Sequence, residues 1–466
     1  MKIQRFFKRN VGHLEFQGHK IVLWDRWYWL VQFLLVKIPF KFYYSKFSIH
    51  QWENVPTGKP IIFAITHRNA FMDSLAFVNT KDIQVFQLAR GDAFSSKWMK
   101  KLFYFFHMLP IWRERDRAGN RNISNDPTFA ACYELLFKNQ MLGIYPEGDC
   151  INENSVRPLK KGICKIAFGA MEAYNWEPDI QIVPVGVNYS DAEKFRKWQM
   201  INFGKPISVA DFKEKYFQNA VSATSELKDA IEQGMQEVAL HIPHSHYMAD
   251  IEKISDMISR YNILERKQLL EPISKFNEQQ PLIKKIENIR NESHEMFSDL
   301  ILQLHKYQKL LQHFRFRENT FDPSRHNWIV IIMMMLYFIV MLPVYVFGIA
   351  VNYLPYKLIE KVIENNVKQA IFYSSLKYAM GIILFPVWYI LLFFITKLFT
   401  GSLISAVLFL IAFPITGIIA FHYWQDINKW WSVLRFKKWK NSSDSMFQQL
   451  LELRDSIITS VNNYSN

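Results

Sequence analysis

Three stretches near the C-terminal end of this 466-residue chain, Ile329–Val351, Tyr378–Thr396 and Leu398–Trp424, contain no charged residue. Each is long enough to cross the ~30 Å hydrocarbon layer of a bilayer as a helix, which makes the chain an integral membrane protein. Pro343, Pro386 and Pro414 lie inside these runs and imply kinks, which helices tolerate when neighbours re-satisfy the freed backbone groups. The flank before the first run is basic (Lys306, Lys309, Arg315, Arg317, Arg325), and so is the flank after the last (Lys429, Arg435, Lys437, Lys438, Lys440). Positive flanks prefer the cytoplasmic side, yet three full crossings would put these two on opposite sides. The Pro343-containing run is therefore the natural one to lie re-entrant or in-plane, next to the cationic, amphipathic connector Lys357–Lys377.

The remaining charge points the same way. A net charge of +14 favours anionic partners, but the cations flank apolar runs and form no aromatic-interleaved patch. An anionic lipid surface fits this distribution and a nucleic acid does not. The N-terminus is basic (Lys2, Arg5, Lys8, Arg9), and no small-residue cleavage site follows, so no signal peptide is expected. Ile21–Tyr44 mixes Trp and Tyr with Asp25, Arg26 and Lys37, and its longest uncharged run, Trp27–Val36, is too short to span. These are the residues of a headgroup boundary, and an interfacial helix or shallow hairpin is expected there. Three cysteines without a CxxC motif imply a reducing compartment.

Between Pro60 and about Ser208 short apolar runs alternate with helical stretches. Strands are expected at Ile61–Thr66, Val85–Ala89, Leu109–Trp112, Met141–Tyr145 and Ile180–Val187. Helices are expected around Phe71–Val78, Ser95–Phe106, Pro127–Lys138 (capped by Asp126) and Gly162–Tyr174. The fold class is α/β, a mostly parallel sheet flanked by helices, with ligands at the C-terminal ends of the strands. From Ala210 to Phe316 apolar positions recur every three or four residues, and Pro243, Pro272 and Pro281 cut the region into helical pieces. The expected organisation is an N-terminal interfacial segment (1–50), an α/β domain (51–208), a helical domain (209–326), a transmembrane region of two or three spans (327–425) and a basic, amphipathic tail (426–466).

Four short blocks in the α/β part carry chemistry. In Thr66-His-Arg-Asn-Ala-Phe-Met-Asp73, an apolar strand delivers His67, and a helix beginning near Asn69 turns Asp73 back toward it. An Asp that fixes the tautomer of a His makes a general base for a hydroxyl, although a strand end followed by a helix cap has the same look. Leu109-Pro-Ile-Trp-Arg113, with Arg115 and Arg117 behind it, sets guanidinium groups at a strand end, where they can clamp a phosphate. In Tyr145-Pro-Glu-Gly-Asp149, Gly148 permits close backbone approach, and Glu147 can hold a substrate hydroxyl or pair with an arginine. Arg157-Pro-Leu-Lys-Lys161-Gly162 puts cations just before a helix N-terminus, and Ile182–Val187 reads as a strand wall broken by Pro184. Cys150 lies near Glu147 in sequence with no base placed for it. His241, His244 and His246 around Pro243 read as a polar turn rather than a metal site.

The order of these blocks resembles the glycerolipid acyltransferases, the lysophosphatidate and glycerol-3-phosphate acyltransferase group. The usual first block has four residues between His and Asp. The five found here resemble a branch that also carries a helical insertion and C-terminal membrane spans. The resemblance implies His67 as general base, Asp73 as its orienter, and Arg113, Glu147 and Gly148 as the acceptor site. Asp149 and Cys150 replace the Thr or Ser, and the Arg, that commonly follow Glu-Gly in the family, which moves the cation contact to Arg157 or Lys161. It implies transfer of an acyl group, without covalent intermediate, metal or cofactor, from acyl-CoA or acyl-carrier protein to a glycerol phosphate. That acceptor is glycerol 3-phosphate, 1-acylglycerol 3-phosphate or dihydroxyacetone phosphate. The catalytic domain would lie on the cytoplasmic face of a bacterial membrane or of the endoplasmic reticulum. An amino-acid lipid acceptor, or a non-catalytic lipid-binding scaffold on the same fold, is the alternative.

Overall fold

The structure is a computed structural model that describes residues 12–23, 26–81, 83–113, 124–243 and 245–464. The expectations for Lys2, Arg5, Lys8, Arg9, Asp25, Arg115, Arg117 and His244 fall outside these residues. The described residues form two compact units, one ending at Pro243 but including Gln369–Ser375, the other comprising the rest.

The first unit opens with a hairpin of β1 (His13–Phe16) and β2 (His19–Val22), turned by Gln17 and Gly18 at positive φ. Next come α1 (Arg26–Gln32), a π-helical turn (Phe33–Lys37) and α2 (Ile38–Tyr43). The expected interfacial segment is thus strand as far as Val22 and helical from Arg26, and Trp27, Phe33, Leu34, Leu35, Ile38 and Phe42 are exposed.

The sheet comprises β3 (Lys46–His50), β4 (Ile61–Ile65), β5 (Val85–Arg90), β6 (Met108–Ile111), β7 (Met141–Ile144), β8 (Gln181–Tyr189) and β9 (Trp198–Phe203), with a short β10 (Ile207–Ser208). Its order is β3-β9-β8-β4-β7-β5-β6, and β10 pairs with β8. Neighbours run parallel except β8 with β9 and β8 with β10. Sequence reading missed β3 and β9. Pro184 does not break β8, because it falls where the strand exchanges one partner for another: Ile182 pairs with β10, and Val185 begins the pairing with β9.

Helices flanking the sheet are α3 (Ala70–Asn79), α4 (Lys97–Phe105), α5 (Asp126–Phe137), α6 (Gly162–Ala173), α7 (Lys213–Gln218) and α8 (Ala220–Val238). The N-cap of α5 is Asn125, one residue earlier than expected. All five residues of β4 are buried. Ile62 and Ala64 face a core shared with α5, α6 and α8, whereas Phe63 packs on Phe77 of α3 at a ring separation of 4.9 Å. Burial on both faces explains why these strands read as continuous apolar runs. Gly186 lets β8 touch α8, since a Cβ there would meet the Val238 carbonyl oxygen at 2.1 Å. The common direction of β4 to β8 brings the ends that precede His67, Arg113 and Glu147 to one edge of the sheet.

The second unit holds α9 (Met248–Glu265), α10 (Pro272–Glu292) and α11 (His294–Phe314), then the long apolar helices α12 (Trp328–Asn366), α13 (Tyr373–Thr400) and α14 (Leu403–Lys440), and α15 (Ser445–Asn462). The first three residues of α13 count with the first unit. Pro281 lies inside α10 rather than ending it. The three apolar helices are each long and apolar enough to cross a membrane. The third begins at Leu403, since Gly401 at φ +65° ends the second. Asn352 joins the three: its amide donates to the Gly348 and Phe413 carbonyls at 2.9 and 3.1 Å, and Tyr389 donates to its oxygen at 2.6 Å. Side-chain bonds of this kind hold apolar helices together where burial in lipid gives no preference.

Gly348 is the close-approach point of that pair, because a Cβ built on it would meet the Thr416 carbonyl oxygen at 2.3 Å. Gly348→Val should therefore force α12 and α14 apart, at a cost of about 1–3 kcal/mol. A lowered thermal midpoint in detergent, set against an exposed Val346→Ala control, checks this.

Candidate active site

Asp73 lies in the first turn of α3 with no solvent exposure. A buried carboxylate must be compensated by donors, and four reach it. His67 Nδ1 lies 2.9 Å from Oδ2, the Arg68 and Asn69 backbone N–H groups donate to Oδ2 at 2.8 and 2.7 Å, and the Tyr189 hydroxyl donates to Oδ1 at 2.5 Å. The fifth intervening residue does not prevent the contact. Ala70, between His67 and Asp73, sits at φ +25°, a conformation side chains rarely adopt.

Burial depresses the His67 imidazole, but hydrogen bonds to Asp73 and Cys150 and the charges of both outweigh it, raising the pKa to about 10. The Tyr145 ring lies against the imidazole at 4.4 Å between centroids. Cys150 Sγ accepts the Ala70 N–H at 3.0 Å, and the thiol also hydrogen-bonds the His67 side chain. His67, Asp73 and Cys150 offer donor atoms within 4.8 Å of one another, the one such group among the described residues. A soft divalent ion suits this set, but both Asp73 oxygens already receive N–H or O–H donors.

Glu147 and Arg157 face inward, toward each other. Glu147 accepts the His67 backbone N–H at 3.1 Å and Arg157 Nε at 2.7 Å. Burial raises the carboxyl, and Arg157 and the His67 N–H work against that rise. The Arg157 guanidinium also donates to the His67 and Asp149 carbonyls. These two residues brace the loop that carries His67. Arg113 donates to Asp149 at 2.9 Å, which gives the departure from the usual Thr or Ser a partner. Gly148 is at φ +76° with the Lys160 stem packed over it, and Lys161 is exposed at the N-cap of α6. His241 accepts the Val156 N–H at 3.0 Å.

Sequence reasoning missed Tyr189, Tyr145 as a stacking partner, and the Arg68 and Asn69 N–H donors. Tyr145 alone left a signal, standing first in the Tyr-Pro-Glu-Gly block.

A raised imidazole has two measurable consequences. Its pairing stabilises the fold fully below pH 6.5, the ordinary imidazole value, and this contribution is lost as pH rises toward about 10. Diethylpyrocarbonate attacks only neutral imidazole, so the His67 peptide, followed by mass spectrometry, should resist modification at pH 7 and become reactive as pH rises. Asp73→Asn should bring reactivity back toward neutral pH. Equal reactivity of both proteins at pH 7 would contradict the pairing.

The sequence profile described as Acyltransferase matches residues 46–188. Glycerol-3-phosphate O-acyltransferase 1 of Saccharomyces cerevisiae is 27% identical over 199 residues, 42% of this chain and 25% of that protein. Glycerol-3-phosphate O-acyltransferase 2 of the same yeast is 30% identical over 124 residues, 26% of this chain and 16% of that protein. The matched stretches thus span a quarter or less of these relatives. The crystal structure of a 1-acyl-sn-glycerophosphate acyltransferase from Thermotoga maritima shares 13% identity at a TM-score of 0.33, over 51% of this chain and 86% of that one. The profile match and the yeast relatives show that the part of this chain carrying the His-Asp, Arg and Glu-Gly blocks is similar to the acyltransferases, the two glycerol-3-phosphate O-acyltransferases of yeast among them.

Proposed function

We propose that the protein transfers a fatty acyl group from a thioester, acyl-CoA or acyl-carrier protein, to a hydroxyl of glycerol 3-phosphate or 1-acylglycerol 3-phosphate. The observation that carries this is the buried Asp73 carboxylate holding His67 at the C-terminal edge of a parallel sheet. In this reading His67 takes the acceptor's proton as its oxygen attacks the thioester carbon, and the same proton then serves the leaving thiolate. No covalent enzyme intermediate is needed. The acceptor phosphate would meet Arg113, exchanging with Asp149, and Lys161; Glu147 and Arg157 act through the His67 loop. The names of the yeast relatives support the acceptor class. The three apolar helices support a membrane location, and the basic flanks favour anionic lipids and a catalytic unit on the cytoplasmic face.

A base with a raised pKa is mostly protonated at neutral pH, so kcat/KM should climb as pH rises above 7. The test is acyl transfer by membranes carrying the full chain, with labelled acyl-CoA or acyl-carrier protein and each phosphate acceptor. His67→Ala should cost on the order of 10²- to 10⁴-fold in kcat. Arg113→Ala should raise the KM for the acceptor on the order of tenfold while leaving that for the thioester unchanged. Activity that survives His67→Ala, or no product with any donor and acceptor pair, would sink the reading.

A further inference from the structure

The first unit takes in a segment from far along the chain. Gln369–Ser375, between the first and second apolar helices, counts with the α/β residues. Ser374 is 1% exposed, and its hydroxyl lies 2.8 Å from both Asn69 Oδ1 and the Ala192 carbonyl oxygen. Asn69, also 1% exposed, donates its amide to the same carbonyl.

Asn69 is the N-cap of α3, yet its side chain makes no cap bond. An Asn in that position ordinarily accepts an N–H from the first turn. Here the amide is turned away to Ala192 and Ser374, and the Asn69 backbone does the work at the site. Its N–H donates to Asp73 Oδ2, and its carbonyl accepts from Met72 and Asp73. The next residue, Ala70, carries a positive φ. Asn69 is therefore the joint between a strained loop and the carboxylate that orients His67. A buried amide oxygen needs a donor, and Ser374 is the one found there.

We propose that Ser374 is a positioning residue of the acyl-transfer site. By holding the Asn69 side chain it keeps the Asn69 N–H on the Asp73 carboxylate, and it thereby sets the proton affinity of His67. The proposal rests on the acyltransferase reading for its kinetic consequence, but not for its effect on His67 titration. Losing one N–H donor leaves the Asp73 carboxylate less compensated, so its hold on the imidazolium strengthens and the His67 midpoint moves up.

The test uses the full-length protein in detergent as wild type, Ser374→Ala, Ser374→Thr and Ser375→Ala. Ser375 is the control, a neighbouring buried hydroxyl 5% exposed. Diethylpyrocarbonate modification of the His67 peptide is followed against pH by mass spectrometry, alongside the pH profile of kcat/KM and the thermal midpoint. Ser374→Ala should move the His67 midpoint up by about half a unit or more, which lowers kcat/KM about threefold or more at pH 7 and lets it recover at higher pH. Ser374→Thr, which keeps the hydroxyl, should restore both readouts, and Ser375→Ala should leave them unchanged. An unmoved or lowered midpoint in Ser374→Ala, or a rate loss that tracks only a fall in thermal midpoint at every pH, overturns the proposal. If the wild type transfers no acyl group, the functional reading fails, and the modification profile still decides the role of Ser374.

Discussion

The site is organised around one charge without access to water. Asp73 would be costly to keep ionised at that depth, and the fold meets the cost with an imidazole, two backbone N–H groups and a phenol. Each donor comes from an element with its own reason to be there. His67 follows a fully buried strand, Arg68 and Asn69 form the loop into α3, and Tyr189 ends the longest strand of the sheet. The placement of the His67 imidazole is thus a property of the whole sheet edge. A second buried ion pair, Glu147 with Arg157, fastens the backbone of the same histidine from the neighbouring strand β7.

Much of this was legible in the residues. The apolar runs of β4, β7 and β8, the helix starts near Asn69 and Asp126, and the three uncharged stretches are local signals, and the elements form where those signals stand. His67, Asp73, Arg113 and Glu147 each stand just past a strand, or open the helix that follows one, and that position is legible in a local pattern. What was not legible depends on distance in sequence. β3 and β9 pair with each other across about 150 residues; β3 is only half-buried and β9 buries Gln199 and Asn202, so neither shows the unbroken apolar run of a central strand. Tyr189 looks like any strand-end tyrosine until Asp73 lies beside it.

The pairing of Glu147 with Arg157 shows a further limit. A carboxylate and a guanidinium ten residues apart are candidates for substrate contact as long as their partners are unknown. In the fold each holds the other, and both reach the His67 backbone. Asp149 changes meaning in the opposite direction. As a departure from the family pattern it looked like a loss, and in the fold it is the anion that holds Arg113 at the sheet edge.

The inclusion of Gln369–Ser375 in the first unit also bears on the order in which the protein is made. During translation, residues through Pro243 emerge before the segment that completes the Asn69 corner. At ribosomal speeds the roughly 130 intervening residues take on the order of ten seconds. In that interval the first long apolar helix must itself leave the ribosome, because it precedes Ser374 in the chain. Completion of the Asn69 corner therefore comes only after the whole of that helix has been made, so the segment that closes the His67 loop from behind is a late arrival in synthesis.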